Sequence, residues 1–192
     1  MKKLAIALLV LLVLGGIGLW WVSSARGFSA RQQPTRLEVT LARAARGMAI
    51  PTDAKEMKNP VSLTPELMQE ARRHFADHCA VCHANDGSGN TEMGRNLYPK
   101  APDMRQQRTQ SLSDGEIYFI IHNGIRLTGM PAWGPPSGPD NDSWALVHFI
   151  RRLPNLSADE LNDMEQFNPQ SPMELKEQKE EEDFLNGKSQ KK

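Results

Sequence analysis

The chain has 192 residues, 39% of them hydrophobic but only 6% aromatic, and 23 Lys and Arg balance 23 Asp and Glu. The absence of net charge excludes a strong basic field, and with it nucleic acid as a main partner. Its two cysteines, Cys79 and Cys82, exclude a multi-disulfide scaffold and any zinc site of four cysteines from this one chain.

Met1-Lys2-Lys3 is followed by 22 uncharged residues, Leu4 to Ala25. As a helix they reach about 33 Å, against a hydrocarbon core of about 30 Å. Trp20 and Trp21 stand at the far end, where an interfacial aromatic belt forms. A cleaved signal peptide ending at Ser23-Ser24-Ala25 is the rival reading, but its apolar core would be only roughly 7–15 residues long. The run is therefore read as a signal-anchor transmembrane helix over 1–25. Its basic end stays inside, and the remainder of the chain is exported to the outer face of a bacterial inner membrane.

Residues 26–61 read as a tether. Gly27 to Pro34 is polar, and Thr35-Arg36-Leu37-Glu38 is a capping box. Leu37, Leu41, Ala44 and Met48 come next at helical spacing, and Gly47 and Pro51 end the helix. It is read as a spacer that packs loosely on the main domain. A membrane-surface role, with Arg36, Arg43 and Arg46, is the alternative. Met57 to Leu63 is a second connector.

Thr64-Pro65-Glu66 starts the next helix, with Leu67, Ala71, Phe75 and His78 or Cys79 on one face, running to about Ala80–Cys82. The loop from Ala84 to Met104 is long enough to wrap a ligand. Ser113-Asp114-Gly115-Glu116 opens a helix with Ile117, Ile120, Ile121 and Ile125 as its buried stripe, stopped at Asn123-Gly124. After a loop holding Gly129-Met130-Pro131 and Trp133, one of Asp140, Asp142 or Ser143 caps a last apolar helix that Pro154 ends. Residues 156–192 carry 10 acidic and 5 basic side chains, a net of −5. Ser157 and Ser171 mark two further helix starts. Glu174 to Asp183 has little to bury and reads as a solvated, frayed helix or disorder, with a docking tail as the weaker alternative.

Cys79-Ala80-Val81-Cys82-His83 is the C-x-x-C-H signature of c-type haem attachment. Two thiols three apart on a helical turn share a face, so both reach one edge of a porphyrin and add across its vinyl groups. His83, next in sequence, offers an imidazole to the iron from one side. A thiol–disulfide redox site usually follows a strand, and none precedes Cys79. A two-cysteine zinc site lacks a suitably spaced histidine pair. The opposite face of the iron has five candidate ligands: Met93, Met104, Met130, His122 and His148. Met130 is the best placed, 47 residues after His83. Gly129 permits close backbone approach there, and Pro131 stiffens the loop. The two histidines read as surface or satisfied side chains, and Trp133, with Tyr98, as shields of the pocket.

With these residues, and the helix starting near Trp144, the chain resembles a class I monohaem cytochrome c over about residues 62–155. It is most similar to the small membrane-anchored bacterial members. The resemblance implies an all-α fold, with three main helices around one covalently attached haem c. It implies cofactor binding by Cys79, Cys82, His83 and Met130, with iron held by His83 and Met130. It also implies a loop carbonyl that accepts a hydrogen bond from the His83 imidazole; the corresponding stretch is Gly94-Arg95-Asn96-Leu97, followed by Pro99 and Pro102. The domain plan is an anchor (1–25), a tether (26–61), a haem domain (62–155) and a charged tail (156–192).

The expected function is outer-sphere transfer of single electrons, not catalysis, between redox complexes in the periplasm. Contact with redox partner proteins would be transient, and the N-terminal helix would hold the membrane. Two alternatives stand beside this carrier: a haem subunit of a larger oxidoreductase, or a haem sensor or enzyme with a displaceable Met130. Arg95, Lys100, Arg105 and Arg108 make a basic loop, read chiefly as solvated and otherwise as steering an acidic partner.

Overall fold

The structure, a computed structural model, describes residues 2–26, 29–138 and 140–186. Among these there is helix and turn but no strand. Helix α1 (Lys2–Arg26) is apolar, and its side chains from Lys2 to Trp21 are exposed, as a lipid-facing helix requires. Helix α2 (Arg36–Ala49) begins at the predicted Thr35 capping box. It runs two residues past Gly47 to Ala49, with Ile50 as its C-cap just before Pro51. A short helix, α3 (Thr52–Glu56), was not legible in the sequence.

Helix α4 (Pro65–His74), capped by Thr64, continues through a π turn (Phe75–Cys79) into α5 (Ala80–His83). The spacing predicts an apolar face from Phe75 to His78 or Cys79. The π turn adds a residue, so the buried face passes instead from Phe75 and Ala76 to Ala80, leaving His78 exposed and Cys79 half-buried. The long loop contains α6 (Glu92–Asn96) and α7 (Gln107–Gln110) lies just beyond it. Helix α8 (Asp114–Asn123) starts at the Ser113 capping box and stops at Gly124, whose φ is 65°. Helix α9 (Asn141–Arg152) is capped by Asp140, and Leu153–Asn155 close it with a 3-10 turn.

The core lies where α4 and α8 pack on α9. Phe75 meets Phe149 at 4.9 Å, and the Tyr118 ring stacks on Trp144 at 4.1 Å. Of the predicted α8 stripe, Ile117 and Ile121 are buried, while Ile120 and Ile125 are half-buried. Arg151 locks the end of α9 to the α7–α8 corner, donating to Asp114 at 2.8 Å and to the Gln110 carbonyl at 2.7 Å.

The packed unit reaches past residue 155. Helix α10 (Ala158–Glu165), opened by the Ser157 capping box, places Met164 in the core with no exposed surface. Arg72–Asp163 and Arg152–Glu160 tie its outer side down. Helix α11 (Pro172–Leu185) is helical and solvated, and Leu175, Phe184 and Leu185 are exposed on it.

Candidate functional site

Cys79 closes the π turn, and Cys82 and His83 lie one turn on. Both thiols are free. Burial, and then the neighbouring Cys82, push the Cys79 thiol up to about 12, and burial raises Cys82 as well. A redox-active dithiol needs at least one thiol lowered, so this pair is poorly set for disulfide exchange.

His83 Nδ1 is buried without a hydrogen-bond partner. Burial pushes the imidazole below its ordinary value, and the Pro102 backbone opposes that shift. The ring is therefore neutral at neutral pH. The Pro102 backbone is thus the polar neighbour that acts on the ring. A ring carrying its proton on Nδ1 keeps the Nε2 lone pair for a metal. Two thiols on one turn beside a buried, neutral imidazole with an unpartnered Nδ1 fit a covalently held haem.

The loop after His83 is closed by its own backbone. Gly89 N–H donates to the His83 carbonyl at 2.8 Å, Met104 N–H to Gly87 at 2.8 Å, and Ala101 N–H to Gly94 at 3.1 Å. Arg105 pairs with Asp86 at 2.7 Å and with Asp103 at 2.9 Å, so it belongs to the loop's own structure and not to a free basic patch. Gly94 packs against the Cys82 carbonyl so closely that a Cβ has no room, and Thr91 donates to the Val81 carbonyl at 2.8 Å. Three residues on, Leu97 lies against Gly129. The segment 94–97 thus links the cysteine turn to the loop of Met130.

Met130 is half-buried in that loop. Its carbonyl accepts from Ile125 N–H at 3.1 Å, and its N–H donates to Thr128 Oγ1 at 3.1 Å. Beyond Pro131 the chain folds back on α8: Trp133 N–H donates to Ile121 and Gly134 N–H to His122, both at 3.1 Å. Gly134 lies flat against the His122 ring, where any Cβ would collide.

The rival ligands are otherwise engaged. Met104 is in the core. His148 Nε2 lies 2.8 Å from the Val61 carbonyl. His122 Nδ1 lies 2.6 Å from the buried carboxylate of Asp140, as a satisfied histidine should. Met93 is exposed on α6. The two aromatic shields fare differently from expectation. Trp133 is partly exposed and meets the His78 ring edge-on at 5.4 Å. Tyr98 is exposed, and its hydroxyl donates to Glu38 of α2 at 3.0 Å, so it braces α2 instead of covering a pocket. The family resemblance implies a loop carbonyl for His83 without saying which, and Pro102 is the one beside it; the His122–Asp140 pair, 18 residues apart, was beyond sequence reasoning.

Residues 66–150 match the family described as cytochrome c oxidase, cbb3-type, subunit III. The chain is also similar to the cbb3-type cytochrome c oxidase subunit FixP of Rhizobium meliloti (strain 1021), 38% identical over 99 residues, covering 48% of this chain and 32% of the relative. The FixP subunit of Sinorhizobium medicae (strain WSM419) is 34% identical over 90 residues, covering 46% and 28%. The chain thus spans about a third of the length of these relatives.

Proposed function

We propose that this chain, whose residues 66–150 are a monohaem c-type cytochrome domain with covalent haem c, serves as the cytochrome subunit of a membrane-bound oxidase complex. The likeness to subunits of cbb3-type cytochrome c oxidase carries this reading. It favours a subunit held in a complex over a carrier that swings freely on its tether.

Cys79 and Cys82 would hold the cofactor covalently through their sulfurs, and His83 and Met130 would ligate its iron. When bound, haem c supplies a one-electron couple. Burial keeps the His83 imidazole neutral and therefore able to ligate. Met130 supplies a neutral thioether, which favours the reduced form more than a second histidine would. With His83 and Met130 both engaged by the iron, this domain would relay electrons and leave oxygen chemistry to other subunits. Lys2 and Lys3 remain inside, which puts the cytochrome domain on the periplasmic side of a bacterial inner membrane.

The test is affinity capture of the chain from membranes in mild detergent. Co-purification of oxidase subunits with cytochrome c oxidase activity is the expected result. Recovery of the cytochrome alone, fully haem-loaded, would restore the free-carrier reading.

A further inference from the structure

The outward face of α2 has no partner among the described residues. Leu37, Leu41, Ala44 and Met48 form one stripe of this helix, and all four are exposed, Leu37 by 67%, Leu41 by 60% and Met48 by 80%. The opposite face is the one that packs: Val39, Arg46 and Gly47 are half-buried, and Arg46 Nε is fully enclosed. A stripe of apolar side chains turned away from its own domain needs a cover.

Two hydrogen bonds tie the helix to its neighbours in that orientation. Glu38 accepts from Tyr98 at 3.0 Å, and Lys55 Nζ donates to the Gly47 carbonyl at 2.6 Å. The next turn, α3, is seated on α8, with Ser113 Oγ donating to Lys55 at 2.7 Å and Gly115 pressed on the Ala54 carbonyl. Nine residues separate the end of α1 from the start of α2, a span of at most about 30–35 Å. The stripe is therefore within reach of the bilayer that α1 crosses. Arg36, Arg43 and Arg46 outnumber the lone acidic residue, Glu38, in the helix, and Arg36 and Arg43 are exposed.

We propose that α2 is an interfacial helix: Leu37, Leu41, Ala44 and Met48 insert into the outer leaflet of that bilayer, with Arg36 and Arg43 among its anionic headgroups. This rests on the reading of α1 as a membrane span. Because α2 is joined to the loop at Tyr98, its insertion fixes the cytochrome domain at one height and tilt over the membrane.

The test uses the full-length haem-loaded chain in vesicles of phosphatidylethanolamine and phosphatidylglycerol. A photoreactive residue placed as Leu41→p-benzoylphenylalanine should crosslink to lipid, and Val39→p-benzoylphenylalanine should crosslink only within the chain. Trypsin should spare Arg36 and Arg43, whereas the combined variant Leu37→Asn, Leu41→Asn, Met48→Asn should be cut there at least tenfold faster while keeping its haem spectrum. Crosslinking of position 41 to a second copy of the chain, or to nothing, overturns the proposal, as does equal trypsin cleavage of both proteins. Failure of the unmodified chain to float with the vesicles would instead overturn the membrane reading of α1.

Discussion

The loop that carries Met130 rests on a histidine of α8. It is anchored on α8 through Trp133 and Gly134, and Gly134 rests on the His122 ring, which Asp140 holds at 2.6 Å. Asp140 also caps α9 through Ser143, and its carboxyl lies below the usual range; burial opposes that shift, and the bonds from Ser143 and His122 outweigh it. Two predictions separate ligand from support. Met130→Ala should open one axial position, abolish the near-infrared band of methionine-to-ferric ligation and lower the reduction potential; an unchanged potential in a redox titration would reassign the ligand. His122→Ala should keep the ligand but loosen its loop, leaving the buried Asp140 short of a partner at a cost of about 1–3 kcal/mol. Denaturant unfolding should show that loss, together with faster carbon monoxide binding than in the parent protein. A stability loss with unaltered carbon monoxide kinetics would confine His122 to the fold.

Among the elements, those with local signals were legible. Thr35, Ser113 and Ser157 each carry a hydroxyl whose acceptor role is settled within three residues, so their helices start where the sequence says. The C-x-x-C-H run was legible for the same reason. The π turn was not, because one inserted residue is set by what Phe75 and Ala80 must bury and leaves no mark on spacing. The loop from Ala84 to Met104 read as featureless, because its order comes from pairs distant in sequence, chiefly Arg105 with Asp86, and from the grip of Arg105 on Asp103. There the Arg105 guanidinium bonds hold the Asp103 carboxyl down to about 2. A carboxyl lowered by folding stabilises the native state above its unfolded value near 4, and that contribution disappears as pH falls through about 2. After screening at this partly exposed site, it amounts to about 1 kcal/mol. Asp103→Asn should therefore lose about that much stability at pH 6 and converge with the parent protein near pH 2. Denaturant titrations followed at the haem absorbance would measure the difference, and parallel curves at both pH values would deny the pair its role.

At the scale of the molecule, composition alone misplaces the edge of the folded unit. Acidic character begins at Asp159, so residues after Asn155 read as a tail, yet the chain returns to the core there. Met164 has no exposed surface, and Leu156, Leu161 and Phe167 pack around the same cluster. A few apolar positions spread over twelve mostly polar residues give too weak a period to be seen in advance. Helix α11 contrasts with this: Phe184 on it is 81% exposed. The difference is measurable on the haem-loaded full chain. Met164→Ala deletes a buried side chain and should cost about 2–5 kcal/mol, whereas Phe184→Ala should stay within about 0.5 kcal/mol of the parent protein. Because α10 is bonded to α4 through Arg72 and Asp163, and α4 leads through the π turn to the cysteines, the Met164 loss should also reach the cofactor. Haem absorbance and far-ultraviolet circular dichroism should then fall together at the lower denaturant midpoint. Loss of helicity ahead of the haem signal would mean that α10 unfolds by itself and that the folded unit ends where the charge changes.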